Sequence, residues 1–407
     1  MDICITPSLL DGRVRIPASK SCAHRALICA ALADGKSVIS GVTMSKDIEA
    51  TIGAMTALGA TFTVKDDVIT VSGISTPKDQ AVIDCNESGS TLRFIMPVAA
   101  ALGADAEFIG RGRLPERPID IYKRELSANG VKFVTENMPY KLSGRLSGGV
   151  YHIEGDVSSQ FVTGLIFALP LLEDDSEIIL TSHLESRPYV DITIDILKRF
   201  GISIEEYEGG FHIRGGQKYK PHDEVIEGDF SQAAFFYVAN TLGSEIDIDN
   251  LNMNSVQGDK KILDIIHEMC YNNNGCFNAD CSDIPDLVPI LAVLGTFGKK
   301  ESVIYNAKRL KIKESDRLAT TAALLNSLGG NVQVTDDGLK ITPVDCLKGG
   351  TVDGAGDHRI VMAAAIAATR AENEVIIKGA EAAEKSYPEF FKDYTTLGGK
   401  ANVIILE

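Results

Sequence analysis

The fold is indicated by one kind of stretch, first seen as SCAHRALICAALA at Ser21–Ala33. Its polar start leads into a run that is apolar nearly all round, and such a helix must be buried on several sides. The pattern recurs about every 70 residues, a spacing typical of repeated supersecondary units. Its copies begin at Ser21, Ser90, Ser158, Ser231, Asp286 and His358.

A turn glycine that follows a helical pattern shows the same period independently. These glycines are Gly59, Gly130, Gly201, Gly275, Gly329 and Gly398. In both series the interval between the fourth and fifth copies is shorter than the others. Because two unrelated features agree on the irregular interval, the sequence predicts six copies of one unit.

Each copy reads as an α/β repeat. A short β-branched strand follows the apolar helix, and an amphipathic helix comes next, as at Asp47–Leu58. Asp47 is the expected N-cap of that helix and Gly59 its expected end. A strand pair closes the repeat, first at Thr61–Val64 with Val68–Val71. With one strand entering from before, the order is βαβαββ.

Length and composition support two globular domains. The chain has 407 residues, of which 44% are hydrophobic and 24% charged. The polar segment Gly215–Pro221 lies near the midpoint and is the expected boundary between two sets of three repeats. The longest nearly apolar run, Leu287–Phe297, is too short for a bilayer, so no membrane association is expected. The N-terminus lacks a signal-peptide pattern, which predicts a cytoplasmic location.

Charge and motifs exclude several functions. The net charge of −16 argues against nucleic acid as a partner, since phosphate backbones are held by a surplus of Lys and Arg. The eight cysteines lack CxxC spacing and are expected to be reduced thiols. No phosphate-binding glycine loop, dinucleotide fingerprint or HExxH motif occurs, so neither a cofactor nor a metal is expected.

The starts of the apolar helices carry residues suited to anions. A helix N-terminus presents free N–H groups and a positive dipole end, which Lys20 and Arg25 would reinforce. Serine or aspartate at a single helix start is most often a plain cap, and that reading stays open for each motif alone. If the three repeats of a domain are related by threefold symmetry, however, their three helix N-termini lie on the same side of the domain. Two domains that face each other would then direct six helix N-termini toward one cleft.

Nine ordered motifs across essentially the whole chain resemble the 5-enolpyruvylshikimate-3-phosphate synthase family. They are Pro17–Ser21, Gly89–Arg93, Arg117–Ile119, Ser158–Phe161, Ser186–Tyr189, Ile284–Asp286, Lys313–Arg317, Asp357–Arg359 and Lys385–Pro388. The resemblance implies the two-domain enolpyruvyl-transferase fold, with three βαβαββ units per domain and the active site in the interdomain cleft. It also implies that the first strand belongs with the C-terminal domain, which gives domains of 17–219 and of 1–16 with 220–407.

The implied reaction transfers the enolpyruvyl group of phosphoenolpyruvate to the 5-hydroxyl of shikimate 3-phosphate through a tetrahedral intermediate, releasing phosphate. Addition and elimination require proton donors and acceptors whose roles reverse. By resemblance, Glu314 protonates the methylene, Asp286 contacts the attacking hydroxyl, and Lys20 is a further proton partner. His358 matches the family's Asp-His-Arg motif, and an orienting role for it stays open.

Two ligand sets are carried over from the resemblance. The shikimate 3-phosphate set is Lys20, Ser21, Arg25, Ser158, Ser159, Gln160, Ser186, Tyr189, Asp286 and Lys313. The phosphoenolpyruvate set, with the arginines that grip small dianions, is Lys20, Gly89, Arg117, Gln160, Arg317, Arg359 and Lys385. The resemblance further implies a monomer, with the phosphoenolpyruvate side and catalytic carboxylates on the C-terminal domain. It marks the surroundings of Gly89 as the region where sensitivity to the inhibitor glyphosate varies.

Two alternatives and one departure remain. The sister enzyme that acts on UDP-N-acetylglucosamine usually carries Cys or Asp in its mobile loop, and neither occurs between Arg111 and Arg117. A noncatalytic scaffold would not need Asp286 and Glu314 beside so many cations. Arg309 replaces a polar Asn that contacts substrate in some members, so that contact is not carried over.

Overall fold

The computed structural model describes residues 1–272 and 274–404, and these fall into two compact units. The single-segment unit is Ala18–Glu227. The two-segment unit combines Met1–Pro17 with Gly228–Glu407. Each unit has its own hydrophobic core.

Helices and strands alternate along the chain as the repeats require. The N-terminal strands, in the two-segment unit, are β1 (Asp2–Thr6) and β2 (Asp11–Arg15). The single-segment unit contains α1 (Lys20–Leu32), β3 (Lys36–Ser40), α2 (Lys46–Leu58), β4 (Thr61–Lys65), β5 (Val68–Ser72), β6 (Gln80–Asp84), α3 (Gly89–Leu102), β7 (Asp105–Ile109), α4 (Asp120–Ala128), β8 (Val131–Phe133), β9 (Tyr140–Gly144), β10 (Val150–Ile153), α5 (Ser159–Ala168), β11 (Ser176–Leu180), α6 (Arg187–Arg199), β12 (Glu205–Tyr207), β13 (Gly210–Ile213) and β14 (Glu224–Val225). The two-segment unit continues with α7 (Phe230–Thr241), β15 (Glu245–Asp249), α8 (Ile262–His267), β16 (Asn278–Asp280), α9 (Val288–Thr296), β17 (Ser302–Tyr305), α10 (Arg317–Ser327), β18 (Asn331–Val334), β19 (Leu339–Thr342), β20 (Gly350–Asp353), α11 (His358–Ala368), β21 (Val375–Lys378), α12 (Phe390–Thr396) and β22 (Lys400–Ile404).

Five sheets share one topology, which confirms the repeat prediction. In the order β6-β7-β9-β8, the entering strand β6 runs parallel to β7, while β9 is antiparallel to both β7 and β8. The other four-stranded sheets repeat this order. In the sheet β20-β21-β1-β22, the N-terminal strand β1 takes the position that β9 takes here.

The fourth repeat explains the short interval. Its parallel pair is β2 with β15, and α8 follows. After α8 the chain goes to β16, which pairs with β17 as the entering strand of the fifth repeat. Within the residues described, the fourth repeat thus has no closing strand pair, which departs from the predicted βαβαββ order. The missing pair accounts for the shortening in both series.

The first helix of each repeat is buried, as its composition predicts. Cys22 through Ala31 of α1 are all buried, and so is every residue of α9 and α11. In the two-segment unit, α7, α9 and α11 pack against one another. None of the helices in the described ranges is long and apolar enough to span a membrane. None of the eight cysteines forms a disulfide within the described residues.

Two local expectations need correction. Ser45, not Asp47, caps α2 by accepting from the Ile48 amide, because the Asp47 carboxylate is taken by an ion pair with Lys20. Gly59 does end α2, with a φ of 120°. Residues 220–227, which the sequence analysis assigns to the C-terminal domain, lie in the single-segment unit. They do so because Glu224 of β14 pairs with Ile39 of β3.

Gly164 of α5 provides a test of this packing. A Cβ there would lie 2.2 Å from the Arg93 carbonyl oxygen and 2.2 Å from the Tyr122 hydroxyl. We expect Gly164→Ala to lower the free energy of unfolding by about 1–3 kcal/mol through overpacking, measured by urea unfolding. Gly53→Ala on α2, where nothing lies within 4 Å, should instead raise it by about 0.5–1 kcal/mol. Equal effects at the two sites would contradict this account.

Candidate functional site

Three carboxylates surround one buried arginine in the two-segment unit. Arg317 donates from Nη1 to Asp286 Oδ1 at 2.7 Å and from Nη2 to Glu314 Oε2 at 2.8 Å. Its Nε donates to Asp357 Oδ2 at 2.8 Å. Arg359 completes the group by donating from Nη2 to Asp286 Oδ2 at 3.0 Å. We call these five residues the carboxylate–arginine cluster.

Helix starts bring the cluster together. Asp286 lies in the 3-10 turn before α9, Arg317 is the first residue of α10, and Asp357 caps α11 by accepting from the Arg359 amide. The start of α7 joins them, because Arg359 Nη1 and Nη2 donate to the carbonyl and hydroxyl oxygens of Ser231. The starts of α7, α9 and α11 thus converge within this unit.

The cluster keeps Asp286 ionised. Burial by itself would raise the pKa of its carboxyl, but Arg359, Arg317 and Lys313 hold that pKa well below its usual range. The reciprocal effect operates on Arg317. Burial would lower the pKa of its guanidinium, yet Asp357, Glu314 and Asp286 hold it well above its usual value. Asp286 is therefore ionised and accepts hydrogen bonds, and in this form it does not act as a proton donor.

Other site residues expected from the sequence lie near this cluster. Burial lowers the pKa of the Lys313 ammonium to about 8, and Asp286 opposes that shift. Lys385 donates from Nζ to the Gly356 carbonyl at 2.8 Å, in the loop that leads into α11. His358 is buried, with Nδ1 3.8 Å from Asp357 Oδ1. Arg309 donates to the Ser282 carbonyl.

Arg25 is a buried cation in the single-segment unit whose described hydrogen bonds all go to neutral acceptors. Its Nε donates to Thr193 Oγ1 at 2.8 Å, and its two Nη atoms donate to the Ser21 and Tyr189 carbonyls at 2.7 and 2.8 Å. Burial lowers the pKa of Arg25 to about 10, so it stays charged at neutral pH. A buried positive charge held by neutral groups favours an anionic ligand.

Lys20 lies at the start of the same helix. Its Nζ is 2.8 Å from Asp47 Oδ2, and both side chains are partly buried. Ser19 caps α1 by accepting from the Cys22 amide. This ion pair holds the Lys20 cation at the N-terminus of α1, where the positive end of the helix dipole also favours an anion.

Gly89 lies beneath two arginines at the start of α3. A Cβ at Gly89 would be 2.6 Å from Arg117 Nη1, so glycine is needed for the close approach of that guanidinium. Arg93 donates from Nη1 to Gln160 Oε1 at 2.8 Å, and Gln160 Nε2 donates to Ser90 Oγ at 3.0 Å. Gly89, Arg117 and Gln160 of the expected phosphoenolpyruvate set thus lie close together.

The serines expected in the site have varied local roles. Ser158 caps α5 by accepting from the Gln160 amide at 3.3 Å, as the plain-cap reading requires, and Ser159 is the first residue of that helix. Ser186 has a φ of 56°, a left-handed conformation that is uncommon and costs energy for a non-glycine residue. Tyr189 lies one turn further along, and its amide donates to the Ser186 carbonyl at 3.0 Å.

Three residues outside the expected ligand sets contact expected site residues. Arg93 is 5% exposed and contacts Gln160, Asp357 is 0% exposed and binds Arg317, and Ser231 binds Arg359. A charged residue within an apolar helical run was the available signal for Arg93, because such a charge needs a buried partner. Among the described residues, no group of His, Cys, Asp or Glu is placed to hold a metal ion.

Comparisons with known proteins point to one family. The family model described as EPSP synthase (3-phosphoshikimate 1-carboxyvinyltransferase) matches residues 5–394. Proteins named 3-phosphoshikimate 1-carboxyvinyltransferase from Clostridium perfringens and Clostridioides difficile are 44% and 42% identical to this chain. They cover 98% and 97% of it, and the chain covers 98% and 97% of them. A solved EPSP synthase from Acinetobacter baumannii shares the fold, with a TM-score of 0.82 at 21% identity over 99% of this chain and 100% of that one.

Fold and site together define an enzyme of the enolpyruvyl-transferase class. Within that class, the chain belongs to the EPSP synthase family. Its reaction is the carboxyvinyl transfer of the shikimate pathway that the family description states.

Proposed function

We propose that this chain transfers the enolpyruvyl group of phosphoenolpyruvate to the 5-hydroxyl of shikimate 3-phosphate through the residues described above. The observation that carries the proposal is the carboxylate–arginine cluster. It holds Asp286 ionised, as a hydrogen-bond acceptor for the attacking hydroxyl, and places Glu314 on the same guanidinium, 2.8 Å from Arg317. Addition of an alcohol across the enol double bond of phosphoenolpyruvate moves one proton off the hydroxyl and one onto the methylene carbon, and we assign these two transfers to Asp286 and Glu314.

In the addition step, the hydroxyl oxygen bonds to C2 of phosphoenolpyruvate and its proton passes to Asp286. Glu314 delivers a proton to the methylene carbon. Its Oε1 can carry that proton while Oε2 keeps the bond to Arg317. In the elimination step Glu314 takes a proton back from the methyl carbon, the C2–O bond to phosphate breaks, and phosphate leaves with the proton that Asp286 had accepted. Lys20 serves as a further proton partner, and His358 orients the groups around it.

Cations divide between the two substrates. The proposed phosphoenolpyruvate set has Arg317, Arg359 and Lys385 on the two-segment unit, and Lys20, Gly89, Arg117 and Gln160 on the single-segment unit. The proposal that the two-segment unit is the phosphoenolpyruvate side rests on the resemblance.

The shikimate 3-phosphate set lies mainly on the single-segment unit. It comprises Lys20, Ser21, Arg25, Ser158, Ser159, Gln160, Ser186, Tyr189, Asp286 and Lys313. Arg25 supports this assignment because it keeps its charge among neutral acceptors. The resemblance also supports a cytoplasmic location and a monomeric state. Sedimentation velocity tests the monomeric state.

Phosphate release from phosphoenolpyruvate is the direct test of the reaction. We expect release with shikimate 3-phosphate and none with UDP-N-acetylglucosamine. The opposite pattern would refute the proposed acceptor and assign the chain to the sister reaction.

Glu314→Gln tests the proton donor. The amide keeps the shape of the carboxyl group but cannot protonate carbon, so kcat should fall at least about 100-fold, while both substrates still bind by calorimetry. Glu301→Gln is the control, since that exposed carboxylate pairs with Lys340 on the surface. Near-normal turnover in Glu314→Gln would remove Glu314 from its role.

Lys313 should make shikimate 3-phosphate binding depend on pH. Its cation is present at pH 7 and is lost as the pH rises through a pKa of about 8, so affinity should fall about tenfold by pH 9. Arginine stays charged over this range, so Lys313→Arg should flatten the profile measured by calorimetry. A profile that Lys313→Arg leaves unchanged would place the titrating group elsewhere.

A further inference from the structure

A chain of four buried side chains links three helices of the single-segment unit. His24 Nδ1 on α1 is 2.7 Å from Thr51 Oγ1 on α2, and Thr51 Oγ1 is 2.8 Å from Thr91 Oγ1 on α3. Thr91 Oγ1 donates in turn to Ser88 Oγ at 2.8 Å. All four residues are at most 1% exposed. We call this chain the α1–α3 relay.

The direction of the relay follows from His24. Its Nε2 has no hydrogen-bond partner among the described residues. A buried N–H without an acceptor is rarer and costlier than a buried lone pair without a donor, so the proton belongs on Nδ1. Burial lowers the pKa of His24 to about 3, which keeps the ring neutral. His24 therefore donates to Thr51, Thr51 to Thr91, and Thr91 to Ser88.

Both ends of the relay lie beside residues proposed to bind substrate. His24 is one turn after Lys20 and immediately precedes Arg25. Ser88 caps α3 by accepting from the Thr91 amide at 3.1 Å, and Gly89 follows it directly. The Ser88 Oγ, which caps α3, is thus oriented by a hydrogen-bond chain that starts at His24 on α1.

We propose that the α1–α3 relay positions the start of α3 against the start of α1, so that Gly89 and Lys20 present one continuous phosphoenolpyruvate site. His24, Thr51, Thr91 and Ser88 are positioning residues and do not touch the reacting atoms. The inference rests on the proposed division of ligands, in which the phosphoenolpyruvate set spans both helices.

The shikimate 3-phosphate set provides an internal contrast. None of its members lies on α3, and Arg25 is held by bonds to Thr193, Ser21 and Tyr189 that do not involve the relay. Lys20 and Gln160 belong to both sets, and Gln160 bonds to Ser90 and Arg93 on α3. Breaking the relay should therefore impair phosphoenolpyruvate use more strongly than shikimate 3-phosphate binding. General loss of structure would impair both.

Thr51→Val breaks the relay with nearly the same volume. We expect kcat/KM for phosphoenolpyruvate to fall about tenfold, within the range for a small misplacement of a site. The dissociation constant for shikimate 3-phosphate alone, measured by calorimetry, should stay within about twofold. Thr51→Ser keeps the hydroxyl and should restore activity. Thr321→Val is the matched control, because Thr321 is equally buried and its hydroxyl has no partner among the described residues.

A double-mutant cycle tests whether the relay acts as one unit. Thr91→Val breaks the next link and serves as the primary variant if Thr51→Val does not fold. The double variant should lose no more activity than either single variant, because a chain broken once is already broken. Additive losses, or equal changes for both substrates, would overturn the proposal.

The tautomer of His24 gives a readout that does not depend on activity. Nitrogen-15 NMR of histidine-labelled enzyme should show the proton on Nδ1 in the wild type. A proton on Nε2 would overturn the direction of the relay. Wild-type enzyme that releases no phosphate would refute the proposed function, whereas active wild type with an unaltered Thr51→Val variant would refute the relay alone.

Discussion

The two-segment unit depends on the need to neutralise Arg317, a guanidinium at 2% side-chain exposure. An isolated charge at that depth would be prohibitively costly, so Asp286, Glu314 and Asp357 must all approach it. Their approach draws the starts of α9, α10 and α11 together. The same contacts keep Asp286 ionised and hold Glu314 on the same guanidinium, so one electrostatic requirement both assembles the helices and fixes the two carboxyl groups of the proposed reaction.

In the single-segment unit, the buried cation Arg25 is stabilised without a carboxylate partner among its described hydrogen bonds. Arg25 is surrounded by a hydroxyl and two carbonyls, which solvate its charge without neutralising it. The arrangement leaves a net positive field at the start of α1. Anionic substrate can therefore complete the electrostatic balance on this unit, whereas on the two-segment unit it must share arginines that already bind carboxylates.

Much of the architecture could be predicted from sequence, because the repeats impose a period that local patterns report. The buried helices, five of the strand pairs and the short interval after the fourth copy follow from hydrophobic spacing and turn glycines, whereas the absence of a closing strand pair from the described part of the fourth repeat was not predicted. The cap of α2 could not be predicted in this way. Ser45 and Asp47 are both good caps, and only the ion pair of Asp47 with Lys20 on another helix decides between them.

The sequence by itself determined the repeated α/β unit and the family, and it indicated which polar residues begin the buried helices. These properties depend on residue type and spacing along the chain. Only the tertiary structure decided which polar side chains meet. Arg93 with Gln160, Asp357 with Arg317, and His24 with Thr51 are pairs from different helices. Such pairs are selected by the distance between packed helices and by the cost of leaving a buried polar group unpartnered, which no local pattern in the sequence records.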